Sequence, residues 1–124
     1  MAKFMTTYTA QTHAALRIVS GFLFLWHGSQ KLLGIPAGSG EIPAFVVYVA
    51  GPIELFGGLM LVAGFMTRWV ALLCSGLMAA AYWMAHGLEH VLPLQNGGEL
   101  AVLYCFVFLF IAANGPGTWS VDDS

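Results

Sequence analysis

The sequence predicts an all-α integral membrane protein, a bundle of four transmembrane helices, and three observations predict it. Hydrophobic residues make up 59% of the 124-residue chain. Charged residues make up only 8%, and mean hydropathy is +0.80. Soluble domains carry about a quarter charged residues, so this is the composition of a chain dissolved in lipid. The apolar residues also gather into four segments, each close to the length that crosses a hydrocarbon core of about 30 Å. Residues 1–124 then form a single domain, with no room left for a soluble one.

The first segment spans residues 14–33, from Ala14 to Leu33, and ends where Gly34, Pro36, Gly38 and Gly40 break the pattern. The second spans 44–65, entered through Pro43, a residue suited to the start of a helix. Pro52 lies within it; having no N–H, it is expected to kink the helix and free the Tyr48 carbonyl. The turn Met66-Thr67-Arg68 leads to the third segment, 69–86. A loop from Gly87 to Gly98, with Pro93 and the Asn96-Gly97-Gly98 turn, precedes the fourth, 99–113. The tail after Asn114 carries Gly115, Pro116, Gly117 and two aspartates, and is expected to be exposed.

Several function classes are excluded or weakened. A net charge of −2 gives no reason to expect nucleic-acid binding. The first residues do not read as a cleavable signal, because polar threonines follow Lys3 and the first apolar run is too long. Cys74 and Cys105 lie in separate segments without CxxC or His/Cys spacing, so no zinc site or thioredoxin-like motif is encoded. They read as small apolar residues. No metal site and no haem, flavin or iron–sulfur motif is present.

An even number of spans puts both termini on one side. Lys3, Arg17 and Arg68 fall on that side against Lys31 on the other, and the positive-inside bias makes the terminal side cytoplasmic. His27 is then about 9 Å deep from the outer face, and Glu54 about 15 Å deep, near the midplane. Lys31, His86 and Glu99 sit near the outer boundary, and Asn96 belongs to the turn that precedes Glu99. Ser20, Phe24, His27 and Lys31 share one helical stripe; Ala50, Glu54 and Gly58 share another, with small residues flanking the carboxylate.

Glu54 is the centre of this constellation. A carboxylate amid an apolar span is costly unless paired, hydrated or protonated. Two readings fit it: a structural acid tied to His27 or Lys31 that sets helix register, or a ligand or proton site. Lys31 also fits a side chain snorkelling to the headgroups. Glu99 follows Gly97-Gly98 and fits a helix N-terminus, where the macrodipole favours an acid. His86 and His90 fit interfacial positions that need no further account.

Leu25-Trp26-His27-Gly28-Ser29-Gln30-Lys31-Leu32 closely resembles the end of the first helix in the DoxX family. Gly51-Pro52-Ile53-Glu54-Leu55-Phe56-Gly57-Gly58, then Gly64 and Thr67-Arg68, resembles that family's second helix and turn. Asn96-Gly97-Gly98-Glu99-Leu100, Leu103-Tyr104, Gly115-Pro116-Gly117 and Ser120-Val121-Asp122 are similar to its fourth helix and tail. The resemblance implies a four-helix protein of the bacterial inner membrane. Its relatives include the small subunit of a quinone-linked thiosulfate oxidoreductase and proteins of thiol and oxidative-stress chemistry. It matches His27, Lys31, Glu54, Arg68, Asn96 and Glu99 to family motifs without assigning them roles. Pro52, Gly57, Gly58 and Arg68 read as structural positions.

Three functions follow as expectations, in this order. The first is a membrane subunit or accessory of a quinone- or thiol-linked redox system, with a quinone as ligand and a partner subunit as electron donor. The second is a non-catalytic scaffold for a partner subunit. The third is transport of a small solute or protons, which in so small a bundle requires a homo-oligomer.

Overall fold

The computed structural model describes residues 3–38, 42–86 and 92–122. Gly40, His90 and Asp123, expected in loops and tail, lie outside the described residues. Helices are the regular structure throughout what is described. A 3-10 turn, Lys3–Tyr8, leads into α1, Thr9–Leu33. That helix starts ahead of the expected Ala14, because backbone hydrogen bonds set a helix boundary whereas hydropathy marks a membrane boundary. Gly34, left-handed at φ 68°, ends it.

The second helix changes winding along its length. Val46–Ala50 is π-wound, and α2 proper is Gly51–Ala63. The Gly51 N–H donates to the Val46 carbonyl, a five-residue return, and α winding resumes with Pro52 in its first turn. The change expected at the proline is therefore a π turn, one of the known ways of interrupting a helical ladder. Gly64, at φ 72°, closes α2 short of the expected Phe65. α3 is Thr67–Ala81, continued by a second π turn, Tyr82–His86. A single turn, α4, is Pro93–Asn96, and α5 is Glu99–Asn114.

Among the described residues, two helices, Val46–Ala63 and Thr67–Ala85, are long and apolar enough to cross a membrane. α5 is apolar but shorter, and α1 is long but carries more polar residues.

The closest pairings are α1 with α2 and α3 with α5. The first pair meets backbone to backbone. A Cβ built on Gly28 would lie 2.2 Å from the Leu55 nitrogen, and one on Gly58 would lie 2.7 Å from the Leu25 Cβ. Lipid tails are as apolar as leucine, so helices in a bilayer gain from close contact more than from leaving solvent, and small residues permit that contact. Gly57 faces the other way, with the Cys74 Sγ 2.9 Å from where its Cβ would be. The two helix pairs join through aromatic rings. Phe24 of α1 meets Tyr104 and Phe108 of α5 with centroids 5.2 and 4.7 Å apart. Phe24, Leu61, Cys74, Phe108 and Ile111 form the fully buried heart of the core.

The tail corrects an expectation. It is not a free exposed strand: Gly115 and Pro116 are buried, and the segment folds back over the ends of α2 and α3. Arg17, also fully buried, holds it there. Its Nε donates to the Leu61 carbonyl at 2.9 Å, while Nη1 and Nη2 donate to the carbonyls of Pro116, Thr118 and Trp119. The Val121 and Asp122 N–H groups donate to the carbonyls of Ala63 and Gly64. Asp122 then accepts from the N–H of Met66 at 2.9 Å and of Thr67 at 2.8 Å, capping α3 from the far end of the sequence. Those N–H bonds, led by that from Thr67, hold the Asp122 carboxyl below the usual carboxylate range. Arg68 does for α5 what Arg17 does for α2, donating to the carbonyls of Ala112 and Ala113 at the helix C-terminus.

Candidate functional site

The opposite end of the bundle holds a cavity of about 840 Å³. That lies within the size range of small-molecule sites. α1 contributes Phe24, His27 and Lys31, and α2 with its π turn contributes the wall from Val46 to Glu54. α3 and its π turn supply residues between Leu77 and Ala85, and the start of α5 supplies Leu100, Ala101 and Tyr104.

The polar groups stand on one side of this space. Lys31 Nζ donates to Glu54 Oε1 at 2.6 Å and lies 3.5 Å from the His27 carbonyl oxygen. Glu54 is only 3% exposed, and the Lys31 side chain 16%. A buried carboxylate next to an ammonium avoids the cost that either charge alone would carry in a low-dielectric interior. The pairing follows from the sequence: Lys31 sits one helical turn after His27, so both project from the α1 face that lies along α2. The Gly28 contact brings the two backbones close enough for the lysine to reach. The His27 ring stands edge-on to Tyr104, with centroids 5.9 Å apart.

Of the residues singled out from the sequence, the structure brings His27, Lys31 and Glu54 to one cavity wall. Glu99 is not with them: it is exposed in the first turn of α5, following Gly98, where an acid complements the helix dipole. His86 ends the π turn after α3 and Asn96 ends α4; their side chains lie outside the described residues. Pro52 begins α2 between the π turn and Glu54. Gly57, Gly58 and Arg68 lie in the packing and capping contacts described above.

Two residues carry more than the sequence reading gave them. Tyr104, known there only as part of a motif, is 6% exposed, lines the cavity and stacks on Phe108 at 5.4 Å. Its spacing with Phe108 and Ile111 was the available signal, one buried face of α5. Arg17 counted only toward membrane orientation. It extends the stripe of Ser20, Phe24, His27 and Lys31 by one turn, which places it on the buried face.

A family model described as DoxX matches residues 12–87. An uncharacterized protein of Haemophilus influenzae is 38% identical over 117 residues, covering 89% of this chain and 87% of that one. The Bacillus subtilis protein named "Putative oxidoreductase CatD" is 38% identical over 112 residues, 86% of this chain and 81% of its own. "Inner membrane protein YqjF" of Escherichia coli is 29% identical over 121 residues, 86% of this chain and 85% of its own. No solved structure matches the chain.

Proposed function

The chain belongs to the DoxX family, and from that premise we propose that this membrane protein is the quinone-binding subunit of a redox system in the bacterial inner membrane. One observation carries the proposal: the Lys31–Glu54 pair stands on the wall of a cavity whose remaining lining is almost wholly apolar. That combination suits a ligand with a carbonyl-bearing head and a greasy body. A quinone carbonyl oxygen would accept a hydrogen bond from the Lys31 ammonium, and Glu54, its carboxylate released from that ammonium and able to take up a proton, would pass the proton on. His27 and Tyr104 shape the same wall. Reduction of a quinone to its quinol takes up two electrons and two protons. The Lys31 ammonium would supply one of those protons and Glu54 the other, each restored from outside the bundle. The electrons come from a reductant held by a partner subunit. The relative named as an oxidoreductase supports the redox assignment, and the relative named as an inner membrane protein supports the location.

All four long helices cross the bilayer in this reading, with both termini in the cytoplasm. The tail's bonds to Arg17 in the first helix bring the two ends of the chain to one end of the bundle, as an even number of crossings requires. Detergent-purified protein is the material for the test. A quinone analogue should raise its melting temperature by mass action, and Glu54→Gln should abolish the rise. Thiosulfate and small organic acids should leave the temperature unchanged. A rise with an organic acid and none with a quinone would overturn the assignment.

A second reading is favoured by the position of the same pair beside the tightest α1–α2 contact. Lys31 and Glu54 there fix helix register, and the protein serves as a scaffold for its partner. Replacing both by apolar residues leaves function intact under this reading and abolishes it under the first.

A further inference from the structure

We propose that the cavity admits its ligand sideways from the bilayer, between the π turns that precede α2 and follow α3, and that the ligand's hydrocarbon tail lies along the alanine-lined wall of α3 and α5. The inference rests on the quinone reading and narrows it to a lipid-borne ligand rather than a water-soluble one.

The distribution of chemistry around the cavity comes first. His27, Lys31 and Glu54 all come from α1 and α2, whereas α3, its π turn and α5 offer Ala80, Ala81, Ala85 and Ala101 among larger apolar side chains such as Leu77 and Met84, with Tyr104 the one polar-tipped side chain there. Past Tyr104, a head group bound at the pair therefore meets apolar side chains, and the four alanines among them leave room for a chain of methylenes. The length fits as well. From Val46 to Glu54 on α2 and from Leu77 to Ala85 on α3, the lining follows about 12 Å of helix at 1.5 Å per residue. That is longer than a quinone ring and suits a ring with part of its tail.

The rim points to the route. Its side chains Phe45, Val49, Met84 and Leu100 are 53%, 53%, 61% and 47% exposed. Large apolar side chains around a mouth are unfavourable in water and neutral in hydrocarbon. Val49 and Met84 belong to the two helices long and apolar enough to cross a membrane, so the gap between them faces acyl chains. Both elements also leave α winding at this point, over Val46–Ala50 and Tyr82–His86. Two π turns on facing helices, both contributing to one cavity, give that mouth its shape, and such turns are frequent at functional sites.

The test uses two quinone analogues with one head group, the first without a tail and the second with a long alkyl tail carrying a photoreactive diazirine. Both are offered to the full chain in phosphatidylcholine nanodiscs. The proposal expects labelling of residues 46–50 and 82–86, competed away by an unlabelled long-tailed quinone. It also expects Ala81→Leu and Ala101→Leu to weaken the tailed analogue about tenfold, which is about 1.4 kcal/mol, with the tailless analogue unaffected. Glu54→Gln should weaken both. Should the leucine variants fail to fold, labelling of the unsubstituted protein decides alone. Uncompeted labelling, or labelling confined to the loops, would overturn the sideways route. If the tailless analogue still bound and depended on Glu54, the quinone reading would survive that result. If neither analogue bound, both would fall together.

Discussion

Lys31 on α1 places its Nζ 2.6 Å from Oε1 of Glu54 on α2, joining two helices whose backbones already touch at Gly28. The pair is nearly dry and forms part of a cavity wall. Its partners can therefore be exchanged for a ligand's polar atoms without first opening the bundle.

Removing one member of the pair leaves the other charge buried and alone. Lys31→Met or Glu54→Leu is expected to destabilise the protein by about 3–5 kcal/mol, and the double substitution to recover most of that loss. Thermal unfolding of all four proteins in one detergent checks the cycle. The double variant should be stable and should not bind a quinone analogue.

At the other end of the bundle, Arg17→Met withdraws the donors that hold the Pro116, Thr118 and Trp119 carbonyls. Hydrogen bonds from a charged donor contribute about 1.5–3 kcal/mol each, so a loss of at least about 3 kcal/mol is expected. The first sign should be local. Hydrogen exchange at the Val121 and Asp122 amides, bonded to Ala63 and Gly64, should quicken before the helices unfold.

Asp122 makes the same clasp acid-sensitive. Bonds from the N–H of Thr67, then of Met66, and the nearby Arg17 charge favour the ionised carboxylate and lower its pKa in the folded protein. A group with a depressed folded pKa contributes stability that is fully present above its unfolded value, about 3.9. That contribution fades as pH falls through the folded value. The clasp should thus be intact at neutral pH and loosen only in acid below the ordinary aspartate range. Asp122→Asn should flatten this dependence, read from the exchange rates of the Met66 and Thr67 amides against pH.

Glycines on the helices should separate sharply by what faces them. A Cβ on Gly28 would lie 2.2 Å from backbone, and one on Gly76 would meet nothing within 4 Å. Gly28→Ala is expected to force α1 and α2 apart and cost at least about 2 kcal/mol. Gly76→Ala should stabilise α3 by up to about 1 kcal/mol through helix propensity. Melting temperatures of the two variants decide it.

Hydropathy placed the helices well, since four apolar segments at the length of a span leave little choice. The helix ends were legible where a glycine takes a left-handed turn, as at Gly34, and less so where polar residues continue a helix beyond its apolar stretch, as at Thr9. Change of winding was half legible: Pro52 announced a disturbance, but a missing N–H does not say whether the helix bends or adds a residue. Nothing in the sequence marked the turn at Tyr82–His86.

The Lys31–Glu54 meeting was readable because one charge lay deep in an apolar run and few cations could reach it. Glu99 was drawn into the same group by depth and by its motif match, and neither says in which direction a side chain points. The tail was misread for a related reason. Its glycines, proline and aspartates look like solvent-exposed chain. Carbonyls that must be satisfied by a distant arginine leave no trace in hydropathy, and Arg17 was the one clue.

In the quinone reading Glu54 exchanges a proton with a bound ligand rather than serving only as a staple. Infrared difference spectroscopy on protein carrying isotope-labelled glutamate, recorded as a quinone analogue is added and reduced, tests it most directly. The expected result is a carboxyl signal that changes with ligand redox state and disappears in Glu54→Gln, with the Glu99→Gln spectrum unaltered. A ligand that binds and is reduced while the Glu54 signal stays constant would contradict it and leave the pair as a structural tie between α1 and α2.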